Sequence, residues 1–260
     1  MIGNKEKSRL LLQSRDRHLL KEAAILKVFD RLQAQICAGF HSATRANVRL
    51  PKLVKAGFLN HFFVATEKGG KKSIFSLTRK GAAVAEVSFL GIKRGKDKLL
   101  IGDLFVAHQL HINDIYLEVK YKRPEGSAFQ FKEWLVPKST LSASAPIIPD
   151  AFFKVQGSER TISSFLECDL GGESSKVWKK KIESYLAFAT TGEFQASFRE
   201  QQFRVLVVTT TGRRVCLLSS LIAKYTDKIF WLSTFESINR SGFWSSIWVR
   251  PNGNQPQALL

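Results

Sequence analysis

Two carboxylates, Asp150 and Glu167, stand where they could work together. Asp150 follows Pro149 near the start of the apolar run 147–155, and Glu167 lies in the run 162–169. Residues 157–160 separate the runs as a turn, so the spacing predicts a hairpin that points both carboxylates at one spot. With the Cys168 carbonyl they would make a hard oxygen site suited to Mg²⁺ or Mn²⁺. Such an ion activates water and steadies the charge that builds on a phosphate under in-line attack. A neighbouring lysine would orient the water or offset that charge. His108 and His111 also sit three apart in a helical stretch. They are read as polar helix residues, because no third metal ligand is near them in sequence.

A second group of side chains is suited to a polyanion. The pattern over 14–29 predicts a helix capped by Ser14, with Leu19, Leu20, Ala23, Leu26 and Phe29 at helical spacing. A short helix over 33–40 ends near Gly39, and a third over 44–56 ends at Gly57. Pro51 is expected to kink the third helix or to start its second half late. Strands over 58–65 and 73–77 flank a turn with two glycines, and Thr78 caps a helix that runs to about Phe89. Three helices, a hairpin and a closing helix make a winged helix-turn-helix, which presents its third helix to the major groove. Thr44, Arg45, Asn47, Arg49 and Lys52 lie on that helix, where Arg can read guanine and Asn adenine. Lys68, Lys71 and Lys72 at the wing would hold phosphates and position the module. The expected partner is double-stranded DNA.

The charge agrees. Forty Lys and Arg against 22 Asp and Glu leave +18. Residues 1–98 carry 21 basic and 7 acidic side chains, so +14 of the excess sits there. Clustered cations gain affinity for a polyanion by releasing its counterions. Hydrophobic residues at 44% and charged residues at 24% describe a folded chain and exclude a disordered one. Residues 99–112 form the longest apolar region; Asp103, His108, Gln109 and His111 interrupt it, and it is too short to span a bilayer. Cys37, Cys168 and Cys216 are odd in number and far apart, which suits a reducing compartment. The expected location is therefore cytoplasmic, with no membrane partner.

The charged stretch 93–98 reads as a linker between domains over 1–92 and 99–260. In the second, a helix over 100–119 precedes strands over 129–136, 147–155 and 162–169. A helix over 176–189 carries Trp178, Lys181, Tyr185 and Phe188 near one face. An apolar strand over 203–209, a helix over 213–224 and a strand over 228–234 complete it. An antiparallel hairpin is thus joined to an α/β crossover, so the fold class is α/β of a mixed α+β kind.

Pro149-Asp150 followed by Glu167-x-Asp169 resembles the PD-(D/E)xK nuclease signature. More narrowly, the winged helix comes before Pro-Asp-Ala-Phe-Phe, Phe-Leu-Glu-Cys-Asp-Leu-Gly-Gly-Glu and Lys181-x-x-x-Tyr185. In that order these look like the replication-relaxation family of plasmids and mobile elements, over about 15–248. The resemblance implies a restriction-endonuclease-like second domain, a central mixed sheet flanked by helices. It implies Asp150, Glu167 and Lys181 as catalytic residues and Asp150, Glu167 and Asp169 as metal ligands. The signature's lysine position holds Asp169 here, and Lys181, with Lys180 second to it, would return an ammonium from the next helix. Asp114 or Glu118 would complete the acidic set.

Three functions follow. One is a metal-dependent DNA nickase acting in plasmid replication or DNA relaxation. The alternative is a catalytically inactive nuclease-fold initiator, accessory factor or transcription regulator, which Asp169 in place of lysine favours. A tyrosine relaxase ranks last, since the five histidines are scattered and form no His-x-His pair. Expected partners beyond DNA are replication or mobilisation proteins. A homodimer would suit palindromic sites, although the sequence carries no dimer signature.

Overall fold

The structure is a computed structural model that describes residues 10–66, 69–89, 99–122, 129–157, 160–253 and 255–259. The chain divides into two compact units, Met1–Leu117 and Glu118–Leu260. The expected linker over 93–98 and the wing residue Lys68 lie outside the described residues.

The first unit runs α1 (Ser14–Leu26), β1 (Val28–Asp30), α2 (Arg31–Ala38), α3 (Ala43–Lys55), β2 (Leu59–Ala65), β3 (Lys71–Leu77) and α4 (Arg79–Ala85), followed by most of α5 (Leu99–Tyr121). Local chemistry sets the ends. The cap of α1 is Gln13, one residue before Ser14, and its backbone N–H donates to Asp16 Oδ2 at 2.7 Å. Asp30 caps α2 through Gln33 N at 2.9 Å, and Gly39 ends that helix with φ +62. Ser42 caps α3, and Thr78 caps α4. Pro51 sits inside α3, which continues to Lys55. β1 was not apparent in the sequence: its three residues are all buried and too few to alternate, and the strand exists because it pairs with β3. The sheet order is β1-β3-β2, antiparallel throughout, and the β2–β3 hairpin is the wing of a winged helix-turn-helix.

Leu19, Leu20 and Leu26 of α1 are fully buried, as are Ala34 of α2 and Leu53 of α3. On the sheet, Val28, Val64 and Ile74 form a cluster with Val106 and Leu110 of α5. Polar bonds fasten the same helix: Asn113 Nδ2 donates to the Val28 carbonyl at 2.6 Å and Tyr116 OH to Glu22 Oε2 at 2.6 Å. These contacts place most of α5 with the first unit.

The second unit contains β4 (Gln130–Leu135), β5 (Ala151–Gln156), β6 (Thr161–Asp169), α6 (Ser175–Thr190), α7 (Glu193–Phe198), β7 (Arg204–Thr209), α8 (Gly212–Ile222), β8 (Phe230–Thr234) and α9 (Phe235–Ser241). Its sheet has the order β4-β5-β6-β7-β8. β4, β5 and β6 pair antiparallel, and β6, β7 and β8 pair parallel. This is the mixed, helix-flanked sheet of a restriction-endonuclease-like domain. The strand expected from Ile147 starts only at Ala151. Pro149 has no N–H to give a ladder, and Ile147 N turns back to the Ala145 carbonyl at 2.8 Å. The short helices α7 and α9 gave no periodic signal at six and seven residues.

One sheet face buries Phe152, Phe165, Val205, Val207, Phe230 and Leu232 against α6 and α8. Phe165 is central, with ring centroids of Phe152 at 4.9 Å, Phe203 at 5.1 Å and Tyr185 at 5.6 Å. Phe165→Ala is expected to lower the unfolding free energy by about 3–5 kcal/mol, because a large cavity would open among rigid rings. Urea unfolding followed by tryptophan fluorescence measures it.

Candidate functional site

β5 and β6 carry the acidic site. The register Ala151↔Leu166 sets Asp150 beside Glu167, and Asp150 N donates to the Leu166 carbonyl at 3.1 Å. The Cys168 amide donates to Asp150 Oδ2 at 2.7 Å. α6 then crosses above them. Ser174 caps it, and Trp178, Lys181 and Tyr185 fall on one face at helical spacing. Lys181 Nζ reaches Glu167 Oε2 at 2.8 Å and Glu173 Oε2 at 2.8 Å. Tyr185 OH donates to Glu167 Oε1 at 2.5 Å. The structure thus brings Asp150, Glu167 and Lys181 together. Lys180 is exposed.

Asp169 has a different environment. Its Oδ2 accepts from Arg214 Nε at 2.8 Å, Arg214 Nη2 at 2.6 Å and Trp178 Nε1 at 2.9 Å. Its Oδ1 accepts from Gly171 N at 2.6 Å, in a turn that Gly171 makes with φ +89. Asp169 therefore anchors β6 to α6 and α8 rather than standing open as a ligand. Arg214 and Glu173 are the members that sequence reasoning missed. Arg214 lies in the first turn of α8, and only the parallel pairing of β7 beside β6 brings it to Asp169. Asp114 accepts from Gln33 Nε2 at 2.7 Å in the first unit, and Glu118 pairs with Lys122 at 2.5 Å.

Burial dominates the electrostatics. Desolvation pushes the Glu167 carboxyl up to about 7; Asp150 pushes the same way, while Lys181 and Tyr185 pull it down. Lys181 is held above its ordinary value, because Glu167 and Glu173 outweigh the cost of burying its charge. The Tyr185 hydroxyl is raised well above its ordinary value by burial and then by Glu167, so it stays protonated as a donor. As a cation site the set fits poorly. Both Glu167 oxygens and both Asp169 oxygens already accept from protein donors. Among the described residues, no group of three or more His, Cys, Asp or Glu side chains could hold a metal ion.

The winged helix offers a second surface. Thr44, Arg45, Asn47 and Lys52 of α3 are exposed, as is Lys71 on the wing. Lys72 is half-exposed and pairs with Asp30 Oδ2 at 2.7 Å. Arg49 is spent within the unit. Its Nε donates to Asp16 Oδ1 at 2.9 Å, its Nη2 to Asp16 Oδ2, and the same nitrogen to the Leu11 carbonyl at 2.8 Å. Asp16 is fully buried, so this pair ties α3 to α1. Among the described residues, no helix is long and apolar enough to cross a membrane. All three cysteines are free thiols.

Arg49→Ala would strand the Asp16 carboxylate, and a loss of roughly 2–4 kcal/mol is expected in urea unfolding. Glu167 gives a pH prediction. Its folded pKa, about 7, lies above the ordinary 4.5, so the folded state holds that proton more tightly. Its contribution to stability is therefore present at acid pH and lost as pH rises from about 4.5 through about 7. Glu167→Gln should remove this decline, on the order of 1–3 kcal/mol, measured by urea unfolding at pH 5 and pH 8.

No curated protein and no solved structure matches the chain. The family model described as Replication-relaxation matches residues 27–200. That match covers the winged helix from β1 onward, the acidic strands β5 and β6, and all of α6 with Lys181 and Tyr185. It takes in well over half of the sequence, and the chain belongs to the replication-relaxation family.

Proposed function

We propose that this protein binds double-stranded DNA through its winged helix and serves replication of a plasmid or mobile element without cutting the strand. In this reading the nuclease-type unit is a scaffold, and the protein acts as an initiator or accessory factor. The observation that carries it is the state of the acidic strands. Glu167 is ion-paired to Lys181, and Asp169 to Arg214, so fixed protein cations neutralise two of the three carboxylates. The exposed α3 side chains supply the DNA contact: Arg45 and Asn47 for base edges, Lys52 for phosphate. Lys71 on the wing adds a flanking phosphate contact.

One observation favours a second reading, a nickase using Mg²⁺ or Mn²⁺. Asp150, Glu167 and Lys181 do converge, the arrangement that the family resemblance implies for phosphodiester cleavage. Supercoiled plasmid carrying the element's own origin separates the two. The protein is expected to shift the plasmid in a gel and to leave it supercoiled in either metal. Conversion to open circles that needs the metal and vanishes in Asp150→Ala would establish the second reading instead.

The DNA contact has its own test by fluorescence anisotropy on a duplex from that origin. Arg45→Ala and Asn47→Ala should each cost about 1–3 kcal/mol and relax preference at one base position. Lys71→Ala should weaken binding evenly across sequences and reduce the slope of log K against log salt by about 1. Unchanged affinity in all three variants would remove α3 and the wing as the contact surface.

A further inference from the structure

At the end of the sheet opposite to Glu167 and Asp169, where β6, β7 and β8 begin, four cations converge. Arg160 stands just before β6, Arg204 opens β7, Lys228 precedes β8, and Arg250 comes from the segment bridged to β8 at Leu232↔Val249. They line a cleft of about 430 Å³ together with Ser163 and Trp231. Parallel pairing brings them together: the register Ser164↔Arg204 and Val205↔Phe230 stacks the three strand starts side by side.

The cleft is built as well as charged. Arg204 Nη1 donates to the Leu259 carbonyl, and Arg250 donates Nε to the Asp227 carbonyl at 3.0 Å and Nη2 to the same oxygen. The two guanidiniums lie 4.9 and 4.8 Å from the centroid of the Trp231 ring. Backbone oxygens and one aromatic ring thus fix both forks in place, and none of the described residues lining the cleft is acidic. Burial, then repulsion from Arg160 and Arg250, draws the Arg204 guanidinium down to about 10. A cluster of held cations costs free energy that a bound oxyanion would offset.

We propose that this cleft binds a terminal phosphate group, that of a nucleotide or of a nucleic-acid strand end. Arginine forks match phosphate oxygens in pairs, and a terminal dianion meets several cations at once. A concave site admits an end group more readily than a phosphodiester inside a strand.

The test uses the full chain, calorimetry and three probes: ATP, an eight-nucleotide single strand with a 5′-phosphate, and the same strand with a 5′-hydroxyl. The double variant Arg160→Ala with Lys228→Ala removes two exposed cations and leaves the packed Arg204, Arg250 and Trp231 in place. Lys132→Ala with Lys138→Ala removes equal charge from exposed positions that do not line the cleft. ATP or the phosphorylated strand is expected to bind at least about tenfold more weakly to the first variant and within about twofold to the second. Preference for the phosphorylated strand over the hydroxyl strand assigns a strand end, and binding of ATP with no such preference assigns a nucleotide. Two results overturn the proposal: equal affinity for both strands without ATP binding, or the same affinity in both double variants.

Discussion

Charge buried inside an aromatic core is the constraint around which the second unit is arranged. Glu167 and Asp169 occupy a central strand at 2% exposure each, where an unpaired carboxylate would be untenable. Two helices and a turn beside that strand end supply the remedy. α6 brings Lys181, Tyr185 and Trp178, α8 brings Arg214, and the turn at Gly171 brings a backbone N–H. The apolar parts of the same side chains finish the packing: Trp178 and Tyr185 are fully buried in the cluster that holds Phe165 and Phe188. Removing a donor would thus disturb both a charge balance and a hydrophobic contact. The polar and apolar networks are one structure, which fixes α6 in rotation and register over the sheet.

The first unit uses the same device on a smaller scale. Asp16 is fully buried at the start of α1, and Arg49 reaches it from the middle of α3. A guanidinium in the middle of α3 is thereby committed to holding that helix against α1. The side chains that remain exposed, Arg45, Asn47 and Lys52, derive their placement from it. Gln33 of α2, bonded to the Leu110 carbonyl at 2.9 Å and to Asp114, locks α5 in a similar way. Arginine and carboxylate serve here as joints, while Lys52 of α3 and Lys71 of the wing stay exposed.

Opposite ends of one sheet carry opposite electrostatics. The carboxyl end of β6 gathers Glu167 and Asp169, paired to Lys181 and Arg214, and the amino ends of β6, β7 and β8 gather cations in a cleft whose described lining holds no acidic residue. In the first, Lys181 is shared between Glu167 and Glu173, and Arg214 holds Asp169. The second holds Arg204 and Arg250 fixed beside Trp231. Net charge alone would not distinguish them, since residues 99–260 carry only +4 of the +18.

Much was legible in the amino-acid sequence. Periodicity and caps located α3, α6 and the strands β2, β5 and β6 to within a few residues, because those segments are long enough to show a period. The spacing of Asp150 and Glu167 set two carboxylates on one hairpin, which is local geometry, and the family resemblance added Lys181; the structure brings the three together. What each charged side chain touches was decided only by tertiary structure. Arg49 reads as a base contact until α1 is packed beside α3 and Asp16 comes within 2.9 Å. Asp169 reads as a metal ligand until parallel pairing of β6 with β7 brings Arg214 to it. The cation cleft has no signature at all, because Arg160, Arg204, Lys228 and Arg250 are far apart in the chain and meet only across the sheet. Backbone periodicity is a local property, whereas the partner of a charge depends on which segments, distant in sequence, become neighbours in space.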